Sequence, residues 1–378
     1  MHTQSKFRLL VVRLGAMGDI LHALPAVTAL RQAHPGWVID WVVEPRWRAL
    51  LAADGAENES GRYRQVLENP TSGAKALGQS GRPDVRAEAL TYQTHPARPV
   101  VDGLHLAPTR DWRKSPLSSK TLHEIRDLRQ LLRAGEYDTV IDLQGAVRSA
   151  VIGRMAGCER LIGEDEPRER VARWLYTERV ETRGAHVIEQ DVELASAVAG
   201  DDLRPAAPWL PVDPAAEAWA DGVLEREDSR PAVLINPGAG WGAKRWPAER
   251  YAAVAQGMID RGLRVLVNAG PGEESLAAAI VQAASAAVAL TRRVALAIAG
   301  DTGPLHLACA LGRPVVGIYG PTDPSRNGPF GAMFRVLRSP QSRRDHTRHA
   351  EPEAGLMTIT PQDVLRAVDE LLAEEPSR

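Results

Sequence analysis

The period of the apolar positions changes abruptly near the start of the chain. Residues 8–12 (RLLVV) form a run too short for a helix and rich in strand-favouring side chains, whereas Ile20, Leu21, Leu24, Val27 and Leu30 recur at helical spacing. The switch predicts a strand, a turn over Gly15 to Asp19, and a helix. Glycines let backbone approach a ligand closely, and a helix start presents free N–H groups. Asp19 then either projects into a crevice or caps the helix through its side-chain oxygen.

The alternation continues along the chain. WVIDWVVE (Trp37 to Glu44) reads as a second strand and completes a βαβ unit. The stretch from Ala52 to Pro108, rich in Gly, Pro, Ser, Arg and Glu with little periodicity, reads as an irregular insertion. A basic loop (TRDWRK), an amphipathic helix, a strand at Thr139 to Leu143 and a further helix follow. Prolines interrupt LRPAAPWLPVDP (Leu203 to Pro214), which suits a linker. This places one domain at residues 1–205 and a second at residues 206–378. In the second half AVLIN, the loop PGAGWGAKRWP, a helix, the strand RVLVNAG and the turn GPGEES lead into an alanine-rich helical stretch. VALAIAG, the turn DTG, the helix PLHLACALG, the strand PVVGIYG and a terminal amphipathic helix complete the pattern. The simplest architecture is two doubly wound α/β domains sharing a cleft, with the turns at the carboxyl ends of strands facing it.

A chain of 378 residues is long enough for two such cores, and its formal net charge of −2 carries no global nucleic-acid signal. Only Cys158 and Cys309 are present, far apart and outside any ligand motif, so neither a disulfide framework nor a zinc site is expected and a reducing cytoplasm fits best. There is no uninterrupted apolar run of about eighteen residues, which argues against a spanning helix. Attachment to a membrane surface needs only basic residues or an amphipathic face. Such residues exist locally: between Arg98 and Arg133, eight Lys and Arg stand against Asp102, Asp111, Glu124 and Asp127. Those on the helix suit ordinary ion pairs at a solvated face, whereas Arg110, Arg113 and Lys114, in the loop, suit an anionic ligand.

Three turns in the second half carry candidate chemistry. PGAGWGAKRWP combines small residues, Lys244 and a helix start, which together favour a phosphate, although a lysine on a surface loop also points to water. GPGEE offers Glu273 or Glu274 to a sugar diol or, alternatively, to the helix dipole. Asp301, Thr302 and Gly303 follow a buried-looking strand, with His306 one turn into the next helix. An acid, a hydroxyl, N–H groups and a histidine suit the diphosphate of a nucleotide sugar. The chain contains no D-x-D triplet, so an acidic metal clamp is not expected, nor is any other metal or cofactor.

Taken in order, RLGAMGDILHALPAVTALR, DWVVEP, YDTVIDLQGAVRSA, PGAGWGAKRWP and GDTGPLHLACALGRPVVGIYGPTDP resemble the lipopolysaccharide heptosyltransferases of glycosyltransferase family 9. The resemblance spans most of both halves. It implies a GT-B fold, two Rossmann-like domains facing across a cleft, with the acceptor held by the first and an ADP-sugar by the second. It further implies inverting transfer of heptose from ADP-L-glycero-β-D-manno-heptose to the lipopolysaccharide inner core, by a cytoplasmic protein peripheral to the inner membrane surface. Asp19 matches the family's general base, Lys244 the lysine near the donor phosphates, and Glu273 a glutamate of the ribose pocket. Asp301, Thr302, Gly303 and His306 match the donor turn and helix. TRDWRK is similar to the acceptor loop of the enzymes that add the first heptose to Kdo2-lipid A, so Arg110, Arg113 and Lys114 would meet Kdo carboxylates or lipid A phosphates, with Gln144 on the same side. The donor loop is equally like that of second-heptose enzymes, which leaves a later core acceptor as the alternative, beside another nucleotide sugar or a relative that binds without turnover. Two departures from the family's pattern stand out: the long insertion after Leu51, and an interval from Glu273 to Asp301 too short for an expected strand or part of a helix.

Overall fold

The computed structural model describes residues 6–52, 99–224, 229–268, 284–344 and 349–374. Six parallel strands form the first sheet: β1 (Arg8–Val12), β2 (Val38–Val43), β3 (Gly103–Leu106), β4 (Thr139–Asp142), β5 (Arg160–Glu164) and β6 (Glu178–Val180), in the order β3-β2-β1-β4-β5-β6. Its helices are α1 (Met17–Ala33), α2 (Thr109–Lys114), α3 (Ser119–Ala134), α4 (Val147–Met155) and α5 (Val187–Ala199). After α6 (Pro214–Leu224), the second sheet comprises β7 (Ala232–Asn236), β8 (Arg264–Val267), β9 (Leu296–Gly300), β10 (Val315–Tyr319) and β11 (Phe334–Arg338), ordered β11-β10-β9-β7-β8. Helices α7 (Ala248–Asp260), α8 (Ala284–Arg293), α9 (Gly303–Ala310), α10 (Pro324–Asn327) and α11 (Pro361–Ala373) accompany it.

Parallel strands covered on both faces need apolar residues at every position, which is why RLLVV, AVLIN, LAIAG and VVGIY lack alternation. All five residues of β7, β9 and β10 are buried. The strand order reverses between β1 and β4, and again between β7 and β9. At each reversal, the crossovers leave to opposite faces and open a crevice at the strands' carboxyl ends. The sequence therefore places Gly15 to Asp19, Gln144, the Lys244 loop and Asp301 to Gly303 at the two crevices.

Two sequence expectations change. Gly103–Leu106 lies within the stretch expected to be irregular, yet forms the edge strand β3 paired from Asp40↔Gly103 to Val43↔Leu106; four residues are too few to display a period. TRDWRK, expected as a loop, is the short helix α2. Of the short interval from Glu273 to Asp301, residues 273–283 lie outside the described residues.

Helix α1 is buried from Ile20 to Arg31 because it packs on the first sheet, on α5 and on α9 of the second half. A helix covered all round must be apolar all round, and its one cation is matched internally. The Arg31 guanidinium donates to Asp102 Oδ2 (2.5 Å), Trp37 O (2.7 Å) and Val100 O (3.2 Å). The proline-rich segment is bonded on both sides. Ala206 N donates to Pro25 O and Trp209 N to Thr28 Oγ1, both on α1, whereas Arg292 of α8 donates to the carbonyls of Leu210 and Pro211.

Removing Asp102 takes a carboxylate at 2.5 Å away from the buried Arg31 guanidinium. Asp102→Ala is expected to cost about 3 kcal/mol in urea unfolding; an unchanged midpoint would show that the ion pair contributes nothing.

Candidate active site

The first crevice begins where β1 ends. Gly15 sits at φ +109°, and a Cβ there would lie 2.6 Å from the Trp47 ring, so only glycine makes this turn. Ala16 is the N-cap of α1, and Asp19, at the third helical position, accepts its N–H through Oδ2 (3.1 Å). Asp19 thus caps the helix with one oxygen while the other faces Arg13 Nη2 at 3.7 Å, with 30% of the side chain accessible. The two readings of Asp19 are compatible within one carboxylate.

Arg13 is buried and has a second acidic neighbour, Asp191 of α5, at 4.0 Å. Among the described residues, Arg13 Nε and Asp191 Oδ2 have no hydrogen-bond partner. Burial pushes the Asp191 carboxyl up to about 7, opposed by the Arg13 charge and reinforced by Glu164, Asp19 and Asp142. Asp142, at the end of β4, is also raised by burial, against hydrogen bonds from Gln144 N, Ser149, Tyr176 and Gly145 N. Gln144 is buried, and its Oε1 accepts from Leu14 N at 2.8 Å, so it braces the β1–α1 turn.

The cations of α2 stand beyond β2. Glu44, at the end of that strand, accepts from the Thr109 hydroxyl and from Arg110 N (3.2 Å), which fixes the start of α2. Arg110, Arg113 and Lys114 are exposed, and Lys114 pairs with Asp111 at 2.9 Å. Arg46, stacked 4.4 Å from the Trp47 ring centroid and electrostatically coupled to Arg110, adds another cation to this side.

The second crevice contains Lys244 and Asp301 as a largely buried ion pair, with Lys244 Nζ also 4.3 Å from the Trp241 ring centroid. His306 Nε2 lies 3.4 Å from the other Asp301 oxygen. Burial alone would raise the Asp301 carboxyl, but the His306 hydrogen bond and the Lys244 charge hold it well below the usual carboxylate range. Thr302 is the N-cap of α9 without capping it: its hydroxyl bonds back to Gly300 O (3.2 Å) and makes no cap to the helix. The start of α9 therefore keeps its partial positive charge for an anion. Glu273 lies outside the described residues.

The two crevices meet. A Cβ on Gly303 would lie 2.7 Å from Met17 Sδ, and one on Gly18 would lie 2.8 Å from His306 Cδ2, so the starts of α1 and α9 are in contact. His22 of α1 bonds to His306 across this junction, Nε2 to Nδ1 at 3.1 Å. The structure brings Asp19, Lys244, Asp301, Thr302, Gly303 and His306 around one interdomain cleft, with Gln144 behind the first turn and Arg110, Arg113 and Lys114 on α2. Sequence reasoning passed over Arg13, His22, Arg46 and Asp191. His22 is spaced one helical turn from Asp19, a signal present in the sequence, whereas Asp191 reads as an ordinary polar position until tertiary packing buries it.

Asp191 gives a signed pH prediction. The unfolded chain releases this proton near pH 4 and the folded chain near 7, so ionisation across that window weakens the fold. Relative to wild type, Asp191→Asn should show a thermal midpoint that rises from about pH 4 to about pH 7 and levels off above it. A difference independent of pH would remove Asp191 as a titrating group.

A family model described as glycosyltransferase family 9 (heptosyltransferase) matches residues 125–356. Lipopolysaccharide heptosyltransferase 1 of Escherichia coli K12 is 29% identical over 356 residues, 88% of this chain and 94% of the relative. Lipopolysaccharide heptosyltransferase 2 of the same organism is 28% identical over 282 residues, 67% of this chain and 80% of the relative. Among solved structures, the E. coli heptosyltransferase WaaC with ADP shares the fold at a TM-score of 0.70 and 24% identity, covering 97% of this chain and all of that one. The family match extends over more than half of the residues and includes β4 through β11. With its two Rossmann-like halves closed on a shared cleft, the chain belongs to glycosyltransferase family 9 and is a glycosyltransferase of the GT-B fold.

Proposed function

We propose that the protein transfers heptose from ADP-L-glycero-β-D-manno-heptose to Kdo2-lipid A, with inversion at the anomeric carbon. In this reading residues 1–205 hold the acceptor and 206–378 the donor. The observation that carries it is the apposition of α1 and α9, which sets an accessible carboxylate, Asp19, opposite a cation and a free helix start. Asp19 takes the proton from the acceptor hydroxyl as that oxygen forms its bond to the anomeric carbon. The bond from that carbon to the ADP oxygen breaks on the far side. Lys244 and the Gly303 N–H then meet the charge developing on the diphosphate, with Asp301 and His306 fixing the position of Lys244 and the α9 turn. Glu273 is assigned to the ribose.

Arg110, Arg113 and Lys114 are assigned to the anionic groups of the acceptor, with Gln144 fixing the turn beneath it. The greater share of the chain matched by the heptosyltransferase 1 relative, 88% against 67%, supports the first transfer over the second. Among the described residues no helix is long and apolar enough to cross a membrane. The exposed cations of α2 support contact with an anionic inner-membrane surface, where a lipid acceptor resides.

Incubation with ADP-heptose and Kdo2-lipid A should yield, by mass spectrometry, an acceptor heavier by one heptose. A product formed only with an acceptor already carrying heptose would assign the later transfer instead. Asp19→Ala should lower kcat by about 10²- to 10⁴-fold while leaving ADP affinity unchanged in calorimetry; near-normal turnover would dismiss Asp19 as the base. Joint replacement of Arg113 and Lys114 by Ala should raise the acceptor KM severalfold without changing ADP affinity, and an unchanged KM would place the anionic groups elsewhere.

A further inference from the structure

The transferase reading uses Asp19 from one half and His306 from the other, and leaves His22 without a task. His22 is three residues beyond Asp19 on α1, buried, and bonded to His306 Nδ1 at 3.1 Å. Its other nitrogen, Nδ1, has no hydrogen-bond partner among the described residues, and the ring borders an interdomain cavity of about 500 Å³ shared with His306, Pro205, Cys309 and Phe330. A polar ring buried with one nitrogen unsatisfied costs the fold stability. What it provides in return is the single bond to His306.

The hydrogen-bond partners assign the protons. The Asp301 carboxylate faces His306 Nε2, which favours a proton on that nitrogen and turns Nδ1 toward His22. Burial, followed by the nearby His306, His186 and Arg13, keeps His22 neutral. One proton is shared between His22 Nε2 and His306 Nδ1 across 3.1 Å. A directional chain results, from Lys244 through Asp301 and His306 to His22, ending on the helix that carries the base. Beside it His186, the N-cap of α5, donates Nε2–H to Gly328 O at 3.2 Å, whereas at the start of α1 itself the contacts to the second half, Gly18 against the His306 ring and Met17 against Gly303, carry no hydrogen bond among the described residues.

We propose that His22 is a positioning residue that sets the height of α1 against the donor turn, and with it the distance from Asp19 to the anomeric carbon. The proposal rests on the transferase reading above. Misplacement of a reacting group by an ångström costs up to about a hundredfold in rate, so the bond acts on turnover rather than on donor affinity. Arg13 and Asp191, which hold Asp19 within its own half, cannot supply this register because both belong to the half that carries α1.

The test compares His22→Leu, which removes the bond, with His22→Gln, whose amide reaches the Nε2 position and can donate to His306. For His22→Leu the expected result is a kcat lower by about ten- to a hundredfold, an ADP affinity within about twofold of wild type and a thermal midpoint no lower than wild type. His22→Gln should recover most of the lost kcat. A purely structural histidine gives the opposite pattern, a lower midpoint with ADP affinity falling in step with kcat, and that result overturns the proposal, as does unchanged turnover in His22→Leu. Should His22→Leu fail to fold, His22→Asn, whose amide stops short of Nε2, takes its place under the same criteria. Absence of transfer by wild type would sink the transferase reading instead. Nitrogen-15 spectra of the imidazoles report the contact independently of activity: His306 Nδ1 should shift on removal of the His22 donor, and a signal that stays in place overturns the proposal whether or not transfer occurs.

Discussion

Burial of α1 on all sides is the constraint from which the rest of the site follows. A surface helix can slide or tilt at small cost, but one packed on a sheet and on α5 has a single close-packed setting within its own half, from which it meets α9 of the other. Its N-terminus carries Asp19, its first turn touches the donor helix, and its middle anchors the proline-rich segment. The apolar residues that fold the first half therefore also carry Asp19 to the boundary with the second half. Stability and chemistry are here properties of one element, and substitutions along α1 are expected to affect both.

The electrostatics follow the same division. On the donor side, Lys244, Asp301 and His306 satisfy one another, so the pocket is preorganised and carries little uncompensated charge before a diphosphate arrives. On the acceptor side, Arg13 lies between Asp19 and Asp191 at distances near 4 Å, too long for firm hydrogen bonds, with polar atoms left over on both Arg13 and Asp191. That side is looser in its bonding and more crowded in acidic groups.

Much of the fold was legible because strands buried on both faces leave unbroken apolar runs and the buried helix leaves a continuous one. The crevices were legible because glycine turns punctuate those runs at strand ends. β3 escaped because GLHL is four residues long and follows a region without pattern. In the site, Asp19, Lys244, Asp301 and His306 stood in recognisable turns. His22 and Asp191 did not, because their significance depends on a partner 284 residues away in one case and on burial against Arg13 in the other. Periodicity reports which face of an element is covered; it carries no information on what covers it.

The bonds along the proline-rich segment determine how the halves can move. Up to Trp209 the backbone belongs to α1, and from Leu210 onward it belongs to Arg292 of the second half. Rotation that preserves those bonds is confined to the few dihedral angles where Trp209 meets Leu210. The connection behaves as a crank pin rather than a flexible tether. A modest torsional change there swings an entire lobe, and the path of the swing is prescribed by covalent geometry instead of by the length or composition of the linker.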